Sequence, residues 1–174
     1  MYNAKSARAS IRGRANRDEG ALLEKMISNS CDYYRERGIA DIYKTPEPFK
    51  VTRSLQQGQF IGHFASKAQP DYQGVISYGR HIVFDAKATR TDRISVSVLS
   101  DKQKEILLRR HKMNALSGVL LCYSFKTFVF MPITTFLEAK KINKHLYWTA
   151  DEAAAQCKLA RFDGKIIYFL GGIT

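Results

Sequence analysis

Apolar positions in the first half of the chain recur first at helical and then at strand spacing. Over residues 18–37 they lie three and four positions apart, and two acids open the segment, which together predict an amphipathic helix. Gly38 is expected to end that helix, and residues 39–44 have the composition of a short strand. Two β-rich runs then flank the turn signal Tyr78-Gly79, so we predict a hairpin within residues 69–89.

The second half of the chain continues the alternation of helix and strand signals. Ser100 and Gln103 form a capping-box pattern, which predicts a helix from Ser100 through about residue 116 that Gly118 ends. The remaining predicted elements are strands at residues 119–123 and 128–131, short helices beginning at Pro132 and Thr149, and a last strand at residues 165–170. This order predicts an α/β fold with a mixed central β-sheet flanked by helices.

Two segments lack this periodicity. Residues 1–17 carry five basic side chains and no acidic one: Lys5, Arg8, Arg12, Arg14 and Arg17. We interpret this segment as a flexible basic arm that contacts a phosphate backbone, the alternative being a solubilising tail. Residues 45–63 hold two prolines and two glycines and are longer than an ordinary connection, which indicates a protruding loop. The predicted organisation is the arm followed by a single domain over residues 18–174.

The charge of the chain narrows the class of its partner. The 174 residues carry a formal net charge of +12, which indicates either nucleic acid or an anionic membrane surface. There is no run of 18 apolar residues and no N-terminal segment of the signal-peptide type, so nucleic acid is favoured over a membrane. Three widely separated cysteines indicate reduced thiols and a cytoplasmic location, and the four histidines show no zinc-ligand spacing relative to them.

Candidate chemistry is concentrated in the predicted hairpin. On a strand, Asp85 and Lys87 share one face while Ala86 points to the other. A three-residue turn at residues 78–80 sets Asp71 opposite Lys87 on that same face, whereas a two-residue turn sets it opposite Ala86 on the wrong face. We therefore predict an odd-numbered loop that brings two carboxylates and an ammonium group together at the end of one hairpin.

This group has the composition of a metal-dependent phosphodiesterase site. Mg²⁺ prefers oxygen ligands, and the predicted ligands are Asp71, Asp85 and the backbone carbonyl of Ala86. Lys87 is predicted to hold the attacking water and to offset the charge of the transition state. Glu24 lies at the edge of the apolar stripe of the first helix, so it is a further predicted ligand, either directly or through water.

Each of these residues also has a purely structural interpretation. An Asp-x-Lys on a strand is commonly a surface ion pair. Glu24 could pair with helix neighbours such as Lys25, and Gln103 is explained by the capping box alone. The combination of Pro70-Asp71, a hairpin, an upstream glutamate and a strongly basic chain favours the site over these interpretations.

Three segments resemble, in order, the RecU family of Holliday junction resolvases in the PD-(D/E)xK nuclease superfamily. They read NRDEGALLEKMI, PDYQGVISYGRHIVFDAKAT and LSDKQKEILLRRHKM. The resemblance implies a restriction-endonuclease-like core in which Glu24, Asp71, Asp85 and Lys87 are the catalytic residues. Gln103 corresponds to a polar residue at the start of the following helix. The family usually has glutamate where this chain has Asp85.

The resemblance also implies a reaction and partners. Family members are homodimers that nick opposed strands of four-way DNA junctions with Mg²⁺ or Mn²⁺, and a strand-exchange recombinase is a further expected partner. Residues 45–63 correspond to the family's stalk, which enters the junction centre. The expected DNA contacts are Lys44, Lys50 and Arg53 together with Arg8, Arg12, Arg14 and Arg17. Three alternatives remain. They are a duplex-cutting nuclease on the same scaffold, a branched-DNA-binding recombination factor with little or no catalytic activity, and a role at the cell envelope, which only the basicity of the chain suggests.

Overall fold

A computed structural model of the protein describes residues 4–64 and 69–171, with side chains from Asp18 onward apart from that of Phe64. The helices are α1 (Ala4–Glu36), α2 (Asp101–Lys112), α3 (Ile133–Leu137), α4 (Ala139–Asn143) and α5 (Ala150–Gln156). The strands are β1 (Ala40–Lys44), β2 (Phe49–Ser54), β3 (Phe60–Phe64), β4 (Tyr72–Ile76), β5 (His81–Thr89), β6 (Arg93–Ser95), β7 (Leu116–Tyr123), β8 (Thr127–Pro132), β9 (Tyr147–Thr149), β10 (Arg161–Phe162) and β11 (Ile167–Tyr168). In the described part of the chain, no helix is long and apolar enough to cross a membrane.

Five strands form a central sheet in the order β1-β4-β5-β7-β8. The β5–β7 pair is parallel, and the other three neighbouring pairs are antiparallel. Every residue of β7 is buried, as expected for a strand that has neighbours at both edges and is covered on both faces. The predicted mixed central sheet flanked by helices is confirmed.

Two apolar layers cover the sheet. On one face α1 packs Leu23 and Ile27 into a cluster with Phe84. On the other face Leu107 of α2 and Phe136 of α3 pack with Val83 of the same strand. Alternation along β5 therefore assigns even-numbered residues to the α1 face and odd-numbered residues to the α2 face.

Two predicted helix ends are wrong. The backbone of α1 begins at Ala4, so residues 4–17, predicted as a flexible arm, continue the helix; their alanines and arginines have good helix propensity. Helix α2 ends at Lys112 rather than near residue 116. The left-handed turn comes at Asn114 (φ 65°), a residue type that tolerates this conformation, and Gly118 lies inside β7.

Two segments outside the predicted helices and strands contain strands. Within residues 45–63, β2 and β3 form a separate two-stranded antiparallel ribbon, and β2 is exposed at all six positions. Within residues 89–99, β6 pairs with the later strand β9. The last predicted strand, residues 165–170, is shorter in the structure, where β11 has two residues and pairs with β10.

Candidate active site

The β4–β5 hairpin has the odd loop that the chemistry requires, but one residue earlier than predicted. Ile76 donates its N–H to the Arg80 carbonyl (2.8 Å), so the loop is residues 77–79, with Tyr78 and Gly79 both at positive φ. Tyr72 pairs with Phe84, and continuing that register by one residue sets Asp71 opposite Asp85. The predicted pairing of Asp71 with Lys87 is therefore wrong, whereas the shared face is confirmed, because the two registers differ by an even number of residues.

The structure brings Asp71, Asp85 and Lys87 together on the α2 face of the sheet. The Lys87 Nζ lies 2.6 Å from Asp85 Oδ2 and 4.0 Å from Asp71 Oδ2. The Asp71 N–H donates to Asp85 Oδ1 (3.2 Å), and the Ala86 N–H donates to Asp71 Oδ2 (3.3 Å). At the open end of the hairpin, the two carboxylates thus accept the backbone N–H groups that a strand carbonyl would otherwise accept.

Asp85 is the most strongly perturbed acid of this group. Its side chain is fully buried, whereas those of Asp71 and Lys87 keep about a fifth and a quarter of their exposure. Desolvation and the neighbouring Asp71 carboxylate raise the pKa of Asp85 to about 6, and the Lys87 ammonium opposes that rise. An acid that is costly to ionise without a nearby cation is typical of a functional site.

Gln103 completes the contacts of the buried acid. Its side-chain Nε2 donates to Asp85 Oδ1 (3.0 Å), and the residue is itself buried. It is also the N3 residue of the α2 capping box begun by Ser100. The capping interpretation and the site interpretation of Gln103 therefore both hold.

The oxygen atoms around this group fit a hard divalent cation. Asp85 Oδ2 is buried, and the Lys87 ammonium balances its charge from 2.6 Å away. The Ala86 N–H points to Asp71, so the Ala86 carbonyl points to the same edge of β5. At this position β4 no longer lies alongside that edge, because β4 begins only at Tyr72. Within the described residues no third acid, histidine or cysteine joins them, so water and substrate oxygens would complete the shell, as Mg²⁺ commonly requires.

Comparison with known proteins decides the family. The sequence model of Recombination protein U (RecU) matches residues 18–168. The chain belongs to the RecU family. The Holliday junction resolvase RecU of Streptococcus gordonii is 31% identical over 137 residues, covering 75% of this chain and 67% of the relative. The RecU of Geobacillus kaustophilus is 28% identical over 156 residues, covering 87% and 74%.

A more distant similarity links the chain to a solved structure. The Holliday junction resolvase Hjc of Archaeoglobus fulgidus aligns over 71% of this chain and 88% of its own, with a TM-score of 0.44 and 13% identity.

Glu24, the remaining acid predicted from the RecU resemblance, lies on α1 and therefore belongs to the other face of the sheet. Its Oε2 pairs with the Lys44 Nζ at 2.7 Å, not with Lys25, and both side chains line an open cleft of about 480 Å³ beside Tyr72. No contact between Glu24 and Asp71, Asp85 or Lys87 is found among the described residues. Its role as a metal ligand stays a prediction, and Lys44, predicted to contact DNA, is engaged by Glu24.

The predicted DNA contacts of the stalk lie on one face of the β2–β3 ribbon. Lys50 is opposite His63, and after a bulge at Thr52, Arg53 is opposite Ile61. Because residues 61 and 63 share a face, Lys50 and Arg53 share it as well. The side chains of Arg8, Arg12, Arg14 and Arg17 lie outside the described residues, so their predicted contacts stay predictions.

Two side chains make contacts that were not predicted. Ser100 was predicted only as a helix cap, yet it holds the amide that contacts Asp85; the capping-box pattern was the available signal. Glu19 is one of the two acids that open the predicted helix, and its buried carboxylate pairs with Arg90 (2.8 Å), just after β5. No local pattern signals that pairing, because 71 positions separate the two residues.

Proposed function

We propose that this chain is a structure-selective endonuclease that resolves Holliday junctions as a homodimer by metal-dependent hydrolysis of phosphodiester bonds. The observation that carries the proposal is the convergence of Asp71, Asp85 and Lys87 at the open end of one hairpin. Membership of the RecU family supports the choice of substrate, since the curated relatives are named Holliday junction resolvases.

Each residue of the site has a distinct task in this proposal. Asp71, Asp85 and the Ala86 carbonyl would hold Mg²⁺ or Mn²⁺, which supplies charge neutralisation at the phosphate and lowers the pKa of a bound water. Lys87, partly exposed beside both acids, is placed to orient the attacking water and to offset negative charge in the transition state. Gln103 keeps Asp85 Oδ1 occupied, so that Oδ2 is the oxygen that faces a cation.

The protein would select its substrate by the shape of the four-way junction and by contacts between basic side chains and DNA phosphates. The net charge of +12 favours a phosphate-rich partner, and the basic face of the ribbon places Lys50 and Arg53 on a projecting element. In a two-fold symmetric dimer, each subunit presents one hairpin site to one of two opposed strands, which accounts for paired nicks. A strand-exchange recombinase remains a predicted further partner.

The test compares a synthetic four-way junction with a linear duplex of the same sequence, with and without Mg²⁺. We expect symmetric, metal-dependent nicking of the junction by the wild-type protein. Asp85→Asn keeps an oxygen for the Asp71 N–H and Gln103 but removes the charge, so it should bind the junction without nicking it. Asp151→Asn, an exposed acid on α5, is the matched control and should leave nicking unchanged.

Three other outcomes would contradict the proposal. Equal cutting of linear duplex would identify a duplex nuclease on the same scaffold. Junction binding without nicking by the wild-type protein, in either Mg²⁺ or Mn²⁺, would identify a non-catalytic recombination factor. Nicking by Asp85→Asn at the wild-type rate would show that the β4–β5 hairpin is not the active site.

A further inference from the structure

Ser100 makes three hydrogen bonds with Gln103, and two of them end on the same atom. The Ser100 backbone N–H (3.0 Å) and the Ser100 Oγ (2.9 Å) both donate to Gln103 Oε1, while the Oγ accepts from the Gln103 N–H (3.3 Å). A backbone N–H can only donate, so it selects the oxygen end of the Gln103 amide. The nitrogen end must then point the opposite way.

What lies on that opposite side is Asp85. The Gln103 Nε2 donates to Asp85 Oδ1 at 3.0 Å, so Oδ2, which lies 2.6 Å from the Lys87 Nζ, is the oxygen turned towards positive charge. We propose that Ser100 is a positioning residue for the metal-binding carboxylate: by orienting the Gln103 amide, it determines which oxygen of Asp85 faces the cation. This inference rests on the proposed function, since it assigns Ser100 a task in the same metal site.

The second capping box of the chain shows why α2 needs glutamine. At the start of α5, Thr149 and Glu152 make the same reciprocal bonds, and the other Glu152 oxygen accepts from the His145 Nε2. A capping box tolerates either glutamate or glutamine at N3. At position 103 a glutamate would turn an acceptor towards the Asp85 carboxylate, so only the amide serves both the cap and the acid.

These two boxes provide a matched pair of variants. Ser100→Ala and Thr149→Ala each remove one capping hydroxyl and should lower the midpoint of urea denaturation by similar amounts. Only Ser100→Ala should also weaken Mn²⁺ binding, which we would measure by titration calorimetry without DNA. Loss of an outer hydrogen-bond partner typically weakens metal affinity ~10–100-fold, and we expect a change near the lower limit because the Ser100 N–H remains. Ser100→Thr, which keeps the hydroxyl, should restore wild-type affinity.

A double-mutant cycle tests whether Ser100 acts through Gln103. Gln103→Met has a similar length and lacks the amide, so it should weaken Mn²⁺ binding by itself, and adding Ser100→Ala should weaken it no further. Equal Mn²⁺ affinity of Ser100→Ala and Thr149→Ala would overturn the inference, as would additive effects in the cycle. A wild-type protein that binds no Mn²⁺ would overturn it together with the metal site. Wild-type Mn²⁺ binding without junction nicking would defeat only the proposed function.

Discussion

Two antiparallel strand pairs, β4–β5 and β2–β3, have similar local structure and very different surroundings. The β4–β5 pair lies in the central sheet with helices on both faces, and its open end holds the fully buried Asp85. The β2–β3 pair forms its own ribbon, on which Val51 and Phe60 are each more than half exposed. Burial, rather than strand pairing, therefore fixes the side chains of the candidate site, whereas the exposed ribbon has few packed neighbours to hold its side chains in place.

The largest expected effect comes from removing the ammonium group of Lys87 from its pair with the buried Asp85. Lys87→Met should lower the rate of junction nicking by on the order of 10²-fold or more, because it removes a charge placed to stabilise the transition state. Junction affinity should stay within about twofold, since binding depends on phosphate contacts spread over the basic surface. Single-turnover nicking at saturating protein measures the first, and a gel-shift titration the second.

Lys104→Met on α2 is the control for that experiment. Among the side chains that the structure describes, Lys104 pairs only with the exposed Asp101, so its loss should leave the nicking rate nearly unchanged. Comparable rate losses in both variants would indicate general loss of basic charge rather than a role for Lys87 in the site.

Substituting one glycine in each strand pair tests how far the β4–β5 pair and the β2–β3 ribbon contribute to global stability. A Cβ added at Gly74 of β4 would meet the backbone carbonyl of Asp41, and one added at Gly62 of β3 would meet that of Lys50. Gly74→Ala should destabilise the whole domain by about 1–3 kcal/mol, because the central sheet cannot shift freely. Gly62→Ala should distort the ribbon and leave global stability within about 0.5 kcal/mol. Urea denaturation of both variants measures the difference, and equal losses would show that the ribbon unfolds with the core.

Salt dependence tests the ribbon as a phosphate-binding element. Lys50→Ala and Arg53→Ala should each weaken junction binding and reduce the slope of log K against log salt by about 1. The nicking rate at saturating protein should not change, because neither residue is near Asp85. Val51→Ala, on the other face of the ribbon, is the uncharged control. An unchanged slope in both charge variants would exclude phosphate contacts through this face.

The smallest effect concerns the turn of the β10–β11 hairpin, where the exposed Asp163 accepts several hydrogen bonds although Ile166 and Ile167 beside it are buried. The N–H groups of Ile166 and Lys165 and the Tyr168 hydroxyl lower the pKa of Asp163 from 3.8 to about 2. Because the folded pKa lies below the unfolded one, Asp163 contributes stability above about pH 4, and this contribution is lost as the pH falls towards 2. The thermal midpoint of Asp163→Asn should therefore fall less between pH 4 and pH 2 than that of the wild-type protein. An unchanged pH profile would mean that the turn does not contribute to folding.

The grouping of the side chains at the site could be predicted because it follows from local spacing. Asp85 and Lys87 lie two positions apart on one strand, and the parity of the loop decides whether Asp71 joins them. The exact register could not be predicted, because a tyrosine at positive φ is uncommon and composition alone did not indicate that Tyr78 would adopt it.

Contacts between distant parts of the sequence account for the other differences. The pairing of Glu24 with Lys44 depends on how α1 lies over β1, and the spacing within α1 contains no information about that. The end of α2 was misplaced because Asn114 supplies the left-handed turn that was expected from a glycine. The presence of a mixed sheet could be predicted from the order of helices and strands. The extension of α1 over residues 4–17 could not, because that segment has no apolar stripe and only its helix propensity favours a helix.

The reciprocal bonds between the two acids have a practical consequence for trapping complexes with DNA. Since the Asp71 N–H reaches Asp85 Oδ1 and the Ala86 N–H reaches Asp71 Oδ2, these carboxylates act as the last rung of the β4–β5 ladder. Truncating them to alanine would loosen the hairpin along with the chemistry. Lys87 supplies charge to these carboxylates but no backbone hydrogen bond to the rung, so we expect a Lys87 variant to be the better inactive form for structural work with a bound junction.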